Sequence, residues 1–341
     1  MAVGSRTTVV YVSNADSRDI SVLGFDTASA TLALLQTVAL PGVVMPLVIS
    51  PSRRHLYAAL RSEPFAVANL EIDPHDGTLT LLSIAALPDS MANVTSDRSG
   101  RHLFSASYGG SCLGVNPIGA DGLAAAFVQR LATGRNAHAV LTDPSNRFLF
   151  VTTLGSDEVM QWRFDAATGG LAPNDPPVFK ARAASGPRHL MFHPNGRFVY
   201  LLSELDARVD VLAFDAGRGT LSAVQDLPSL PADFNGKPWG ADIHVTADGR
   251  FLYTSERTSS TLAAFAIDAD SGRLTALGHT ATETQPRGFN IDPSGRFLFV
   301  VGQLSNHLSV YSIDAASGAL TAINRCAVGQ NPNWVEVLAL R

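Results

Sequence analysis

The chain has 341 residues, 46% hydrophobic and 16% charged, with a formal net charge of −5. This balance excludes a disordered chain. It also gives no general attraction for nucleic acid or an anionic membrane, so an anionic ligand needs a local basic pocket.

Two cysteines, Cys112 and Cys326, make no disulfide framework. No stretch approaches the roughly 20 uninterrupted apolar residues of a spanning helix, and Met1–Arg6 holds no signal-like apolar core. The expectation is a soluble, cytoplasmic protein.

One short phrase recurs along the chain: an acidic or Ser-Pro turn, a basic residue, then a bulky pair ending in an aromatic. A turnless copy, Val9-Val10-Tyr11, comes first. It is followed by Ser50-Pro51…Leu56-Tyr57, Asp97…Leu103-Phe104, Asp143-Pro144…Leu149-Phe150, His193-Pro194-Asn195-Gly196-Arg197-Phe198-Val199-Tyr200, Asp248-Gly249-Arg250…Leu252-Tyr253 and Asp292-Pro293…Leu298-Phe299. The aromatics lie about 46 to 53 residues apart, a period that marks propellers and solenoids.

Within one repeat, Arg188–His193 reads as a strand, Asn195-Gly196 as a two-residue hairpin turn and Arg197–Ser203 as a second strand rich in β-branched and aromatic residues. Val209–Phe214 and Leu221–Val224 complete four strands. Third-strand exits recur at Phe25-Asp26, Ile72-Asp73, Phe164-Asp165, Phe214-Asp215, Ile267-Asp268 and Ile313-Asp314, with Asn116-Pro117 a weaker copy.

No segment has a sustained 3.6 period with caps, so few helices are expected. The fold class predicted is all-β: a single seven-bladed β-propeller over residues 1–341, with four antiparallel strands per blade. Thr7–Ser13 begins as a second strand and Trp334–Leu340 is an orphan first strand. Pairing the two in one blade removes an open sheet edge. Pro173–Pro177 and Leu227–Pro238 read as long loops between blades.

In a propeller, the innermost strands line a central channel and the loops of one rim shape the pocket. Pairing across the Asn195-Gly196 turn sets Pro187 and Arg188 opposite Ser203 and Glu204. The equivalent first-strand starts are Ala137-His138, Gly240-Ala241-Asp242, Pro286-Arg287 and Pro332-Asn333. One rim therefore collects His138, Arg188, Glu204, Arg287 and Asp242, a set suited to proton transfer on an anionic substrate. His189, His244, Trp239 and Asn333 follow as candidate substrate contacts, with Trp334 and Tyr108 as a possible apolar floor. Glu256-Arg257 ends its second strand at the level of Ser203-Glu204, which puts it at the border of the pocket, but a local rim ion pair is the preferred reading.

Several motifs fail. Gly109–Gly114 lacks the Lys-Ser/Thr ending of a phosphate-binding loop. Asp268-Ala269-Asp270-Ser271-Gly272 resembles a calcium loop, but its siblings at Asp165 and Asp314 lack the second acid, so it reads as a turn. Arg53-Arg54-His55 reads as a solvated hairpin turn. No zinc spacing is present, and neither metal nor cofactor is expected.

The block Gly186-Pro187-Arg188-His189-Leu190-Met191-Phe192-His193-Pro194-Asn195-Gly196-Arg197-Phe198-Val199-Tyr200, continuing to Ser203-Glu204-Leu205, resembles the signature of the lactonase family of seven-bladed propellers. That family includes bacterial 6-phosphogluconolactonases and the fungal carboxy-muconate lactonizing enzyme. Ala241-Asp242-Ile243-His244-Val245 and Pro286-Arg287-Gly288-Phe289-Asn290-Ile291-Asp292-Pro293 extend the resemblance.

The resemblance implies that the family's His, two Arg and Glu fall on His138, Arg188, Arg287 and Glu204. The function expected is hydrolysis of a sugar lactone such as 6-phosphogluconolactone. The alternatives are cycloisomerisation of a carboxylated muconate and a non-catalytic propeller that binds a protein.

Overall fold

The computed structural model describes residues 7–340, so Met1–Arg6 lie outside the described residues. Seven four-stranded antiparallel sheets form a ring of blades. Blade 1 combines Pro332–Ala339 as its innermost strand with Thr7–Asn14, Asp19–Asp26 and Thr31–Ala39. Blades 2 to 7 each use four consecutive strands, with innermost strands Val44–Ile49, Met91–Ser96, Ala137–Thr142, Pro187–Phe192, Gly240–Val245 and Pro286–Ile291. Each innermost strand touches those of the two neighbouring blades, so the ring closes. The helical content of the described residues is one 3-10 turn, Leu154–Ser156.

The recurring phrase has a physical cause. Its aromatics, Tyr11, Tyr57, Phe104, Phe150, Tyr200, Tyr253 and Phe299, are all buried, at the centre of the second strands. Four of the tyrosines donate to a turn carbonyl of the following blade: Tyr11 to Gly77 at 2.8 Å, Tyr57 to Gly122 at 2.7 Å, Tyr200 to Gly272 at 3.0 Å and Tyr253 to Gly318 at 2.7 Å. Each hydroxyl thereby satisfies a buried polar group and fixes one blade against the next.

The acidic turn residue is a cap. The Asp143 carboxylate accepts from the backbone N–H groups of Ser145, Arg147 and Phe148, and Asp97 and Asp292 repeat the pattern. In blades 2 and 6, Ser50 and Thr246 stand at the place of this acid and their hydroxyls accept instead, while Asp248, two residues on, accepts from Arg250 N. The basic residue stacks on the next aromatic ring, as with Arg197 over Phe198 at 5.2 Å, while donating to Asp270 O of the following blade.

Three expectations need correction. The turn at Asn195-Gly196 is longer than two residues: Gly196 N donates to His193 O, and of the pair only Gly196 has positive φ (69°), so Asn195 serves as a side-chain acceptor for Arg197 N. Pro173–Pro177 lies inside the outermost strand Gly170–Lys180, which tolerates proline because its outer edge has no partner strand. Arg53-Arg54-His55 is only partly solvated: Arg53 donates to Ala339 O and His55 is buried. The other proposed loop does connect blades, between Thr220–Pro228 and Gly240–Val245.

Candidate active site

Every innermost strand shifts register near its start: between Pro187 and His189, Ala137 and Ala139, Pro286 and Gly288, Met91 and Asn93, Gly240 and Ile243, Val44 and Leu47, and opposite Ser13/Asn14 in blade 1. A bulge places two residues against one on the partner strand and re-aims the extra side chain. The bulged residues are His138, Arg188 and Arg287, with Asn333, Met45, Ala92 and Ala241 at the matching places of the other blades.

A second ring of positions ends the second strands, four residues beyond each buried aromatic. It holds Arg61, Tyr108, Leu154, Glu204, Arg257, Gln303 and Ala15. Together the two rings form one mouth of the channel.

Glu204 is the electrostatic centre of this mouth. Its Oε2 accepts from Arg188 Nε at 2.9 Å and from Arg257 Nη2 at 2.8 Å. Burial alone would raise the Glu204 carboxyl, but the two guanidinium groups outweigh it and hold the pKa below its ordinary value. Arg188, 1% exposed, also donates to Ala241 O. Arg257 lies 3.9 Å from the centroid of the Trp239 ring and donates to the carbonyls of Trp239 and Gly240. The ion pair expected between Glu256 and Arg257 is therefore replaced by one to Glu204, and Glu256 instead accepts from Trp239 N and Ser259 N.

His138 is buried, its ring 6.0 Å from Tyr108 and 5.1 Å from His189. Burial and the positive fields of Arg188, His189, Arg287 and Arg257 push its pKa well below 6.5. The imidazole is thus held neutral, and its Nδ1 has no protein partner. Arg287 is pushed down by burial and by Arg188, Arg257 and Arg61. Among the described residues it forms no ion pair with a carboxylate. His138, Arg188, Arg257 and Arg287 come from four different blades, at matching positions of the two rings.

Asp242 is not in this ring. In register it matches His189, one step deeper, because Ala241 is the residue that matches Arg188. Its carboxylate accepts from His189 Nδ1 at 2.7 Å and faces His244 Nε2 at 3.4 Å, and it also takes the backbone N–H of Phe289 in the next blade. Burial would raise it, yet His244 and His189 hold it well below the ordinary carboxylate range.

His189, Asp242, His244, Trp334 and Glu336 line a channel cavity of about 160 Å³ below the mouth. Asn333 is fully buried and donates to the carbonyls of Ser13 and Asn331, which ties it into the wall. Beside Glu204 a second cavity of about 300 Å³ is lined by Leu205, Lys237, Pro238, Trp239 and Thr258. Tyr108 is at the mouth and Trp334 in the channel wall, not on a common floor.

Sequence reasoning missed Arg61 as a member of the mouth and set Arg257 aside in favour of a local ion pair. Aligning the repeats on their aromatics, with a count of four onward, would have found both. No group of three or more metal-ligating side chains occurs among the described residues, and no helix among them is long and apolar enough to cross a membrane.

The family model for the seven-bladed β-propeller lactonases matches residues 1–337. The chain is 47% identical over 332 residues to the 6-phosphogluconolactonase of Pectobacterium carotovorum, covering 97% of this chain and 99% of that one. It is 44% identical to that of Serratia proteamaculans over 331 residues, again 97% and 99%. Among solved structures, the periplasmic gluconolactonase of Pseudomonas aeruginosa superposes with a TM-score of 0.91 at 30% identity, covering 98% of this chain and all of that one. The chain belongs to the lactonase family of seven-bladed β-propellers.

Proposed function

We propose that this enzyme hydrolyses 6-phosphogluconolactone to 6-phosphogluconate. The observation that carries this reading is a buried imidazole held neutral among three guanidinium groups, in a chain 47% identical over nearly its whole length to a 6-phosphogluconolactonase.

The neutral His138 takes a proton from water as the water oxygen bonds to the lactone carbonyl carbon. Arg188 faces the oxyanion that develops, as a fixed donor in a site from which water is largely excluded, and Arg287 binds the anionic group of the substrate. When the tetrahedral intermediate collapses, the ring C–O bond breaks and the leaving oxygen takes the proton back from His138. Glu204, ionised and bound by Arg188 and Arg257, positions the guanidinium groups rather than transferring a proton. A cytoplasmic setting is supported by the unpaired Cys112 and Cys326.

The test is a rate assay with 6-phosphogluconolactone, free glucono-δ-lactone and a carboxylated muconate. The wild type should open the lactones and leave the muconate unchanged. His138→Ala should lower kcat by about 10²- to 10³-fold, and Glu204→Gln by about 10- to 100-fold through misplaced arginines. With a His138 pKa below 6.5, kcat/KM should stay level through neutral pH and fall only at more acidic pH, as the base is protonated. Unchanged lactone hydrolysis in both variants removes these residues from the reaction.

A further inference from the structure

The mouth is unbalanced in charge, and the imbalance is local. Arg188 and Arg257 share the carboxylate of Glu204. On the other arc of the ring, Arg287 from blade 7 and Arg61 from blade 2 have no carboxylate within ion-pair distance among the described residues. Glu63, the acid nearest Arg61 in sequence, is exposed and makes no ion pair with it, and Glu283, the acid nearest Arg287, is engaged with Arg325.

Arg61 is nonetheless held in place. Its Nε donates to Ser90 Oγ at 3.0 Å and its Nη1 lies 3.0 Å from Met45 Sδ. Burial lowers its pKa, and its charge is among those that lower that of Arg287. By the pseudo-symmetry of the blades, Met45 and Arg61 occupy the places that Arg188 and Glu204 hold in blade 5. An arginine thus stands where the acid stands in the catalytic blade. Two guanidinium groups at the same mouth, neither paired with a carboxylate, form a seat for an anion of more than one charge.

Resting on the lactonase reading above, we propose that Arg61, together with Arg287, seats the phosphate of the substrate and makes Arg61 the determinant of selectivity for phosphorylated over free sugar lactones. A phosphate monoester carries close to two negative charges at neutral pH, and planar guanidinium groups match its oxygens in bidentate fashion. Its position across the mouth from Glu204 keeps the dianion away from the carboxylate. The lactone ring then spans toward His138 and Arg188.

The experiment compares wild type, Arg61→Gln and Arg61→Lys by steady-state kinetics on 6-phosphogluconolactone and glucono-δ-lactone, and by calorimetric titration with inorganic phosphate. Arg61→Gln should raise the KM for the phosphorylated lactone, relative to that for the free lactone, by about 10- to 100-fold. Arg61→Lys should recover part of the ratio. Inorganic phosphate should bind the wild type and bind Arg61→Gln at least about ten-fold more weakly.

An unchanged KM ratio with unchanged phosphate binding overturns the assignment, as does an equal loss on both lactones with phosphate binding retained. A wild type that opens neither lactone defeats the functional reading instead, and phosphate binding lost in Arg61→Gln would still support the anion seat.

Discussion

Single residues in this channel differ in their response to protons. Glu336 lines the channel cavity below the mouth. It accepts from Trp334 Nε1 at 3.1 Å, and burial, with a contribution from Asp242, raises its carboxyl from 4.5 to about 7 against the opposing pull of Trp334 and His244. The folded chain therefore binds more protons than the unfolded chain between those values. Stability falls as pH rises through that window, and the penalty is complete above pH 7, on the order of 3 kcal/mol. Glu336→Gln should raise the melting temperature at pH 8 and leave it nearly unchanged at pH 5. Thermal melts at both pH values check this, and a gain confined to pH 5 contradicts it.

His138, Arg188, Glu204 and Arg287 were legible in the sequence because each sits beside a strand start or end that the repeat marks. Asp242 was misplaced by one register step, because a bulge leaves no trace in spacing. Arg257 was assigned to its chain neighbour Glu256, when its partner is brought by the preceding blade.

The hairpin that links the first two strands of a blade is the element whose chemistry recurs most faithfully. The acid in its turn reads as surface charge in a sequence, yet Asp143 is 1% exposed and satisfies three backbone donors. Asp143→Ala strands those donors under a buried turn and should destabilise the protein by about 2 to 3 kcal/mol, measured by denaturant unfolding. A loss under about 0.5 kcal/mol would mean that water takes over the carboxylate's role. The bulge at the start of the innermost strands has the opposite character: it is invisible in the phrase and decisive for function, since it turns His138, Arg188 and Arg287 into the mouth. Strand number and order could be read from the repeat. The exact step of the inner ring could not, as Asp242 shows, because it depends on register, whereas the second ring follows from counting four residues on from each aromatic.

At the scale of the whole molecule, closure was legible from the orphan strand alone. Pro332–Ala339 pairs with Thr7–Asn14 through seven register partners, and Ser13 and Asn333, 320 residues apart, share a hydrogen bond. Removing Pro332–Ala339 bares the inner edge of Thr7–Asn14 and should yield self-associated protein without lactonase activity, seen by light scattering. A monodisperse, active truncated chain would show that closure is dispensable.

The strand that finishes blade 1 is also the last of these elements to leave the ribosome, long after its partner. A nascent chain that has already made Arg61, His138 and Arg188 still lacks Arg287 and the final staple. The full set of mouth positions is thus absent until that last innermost strand has been made.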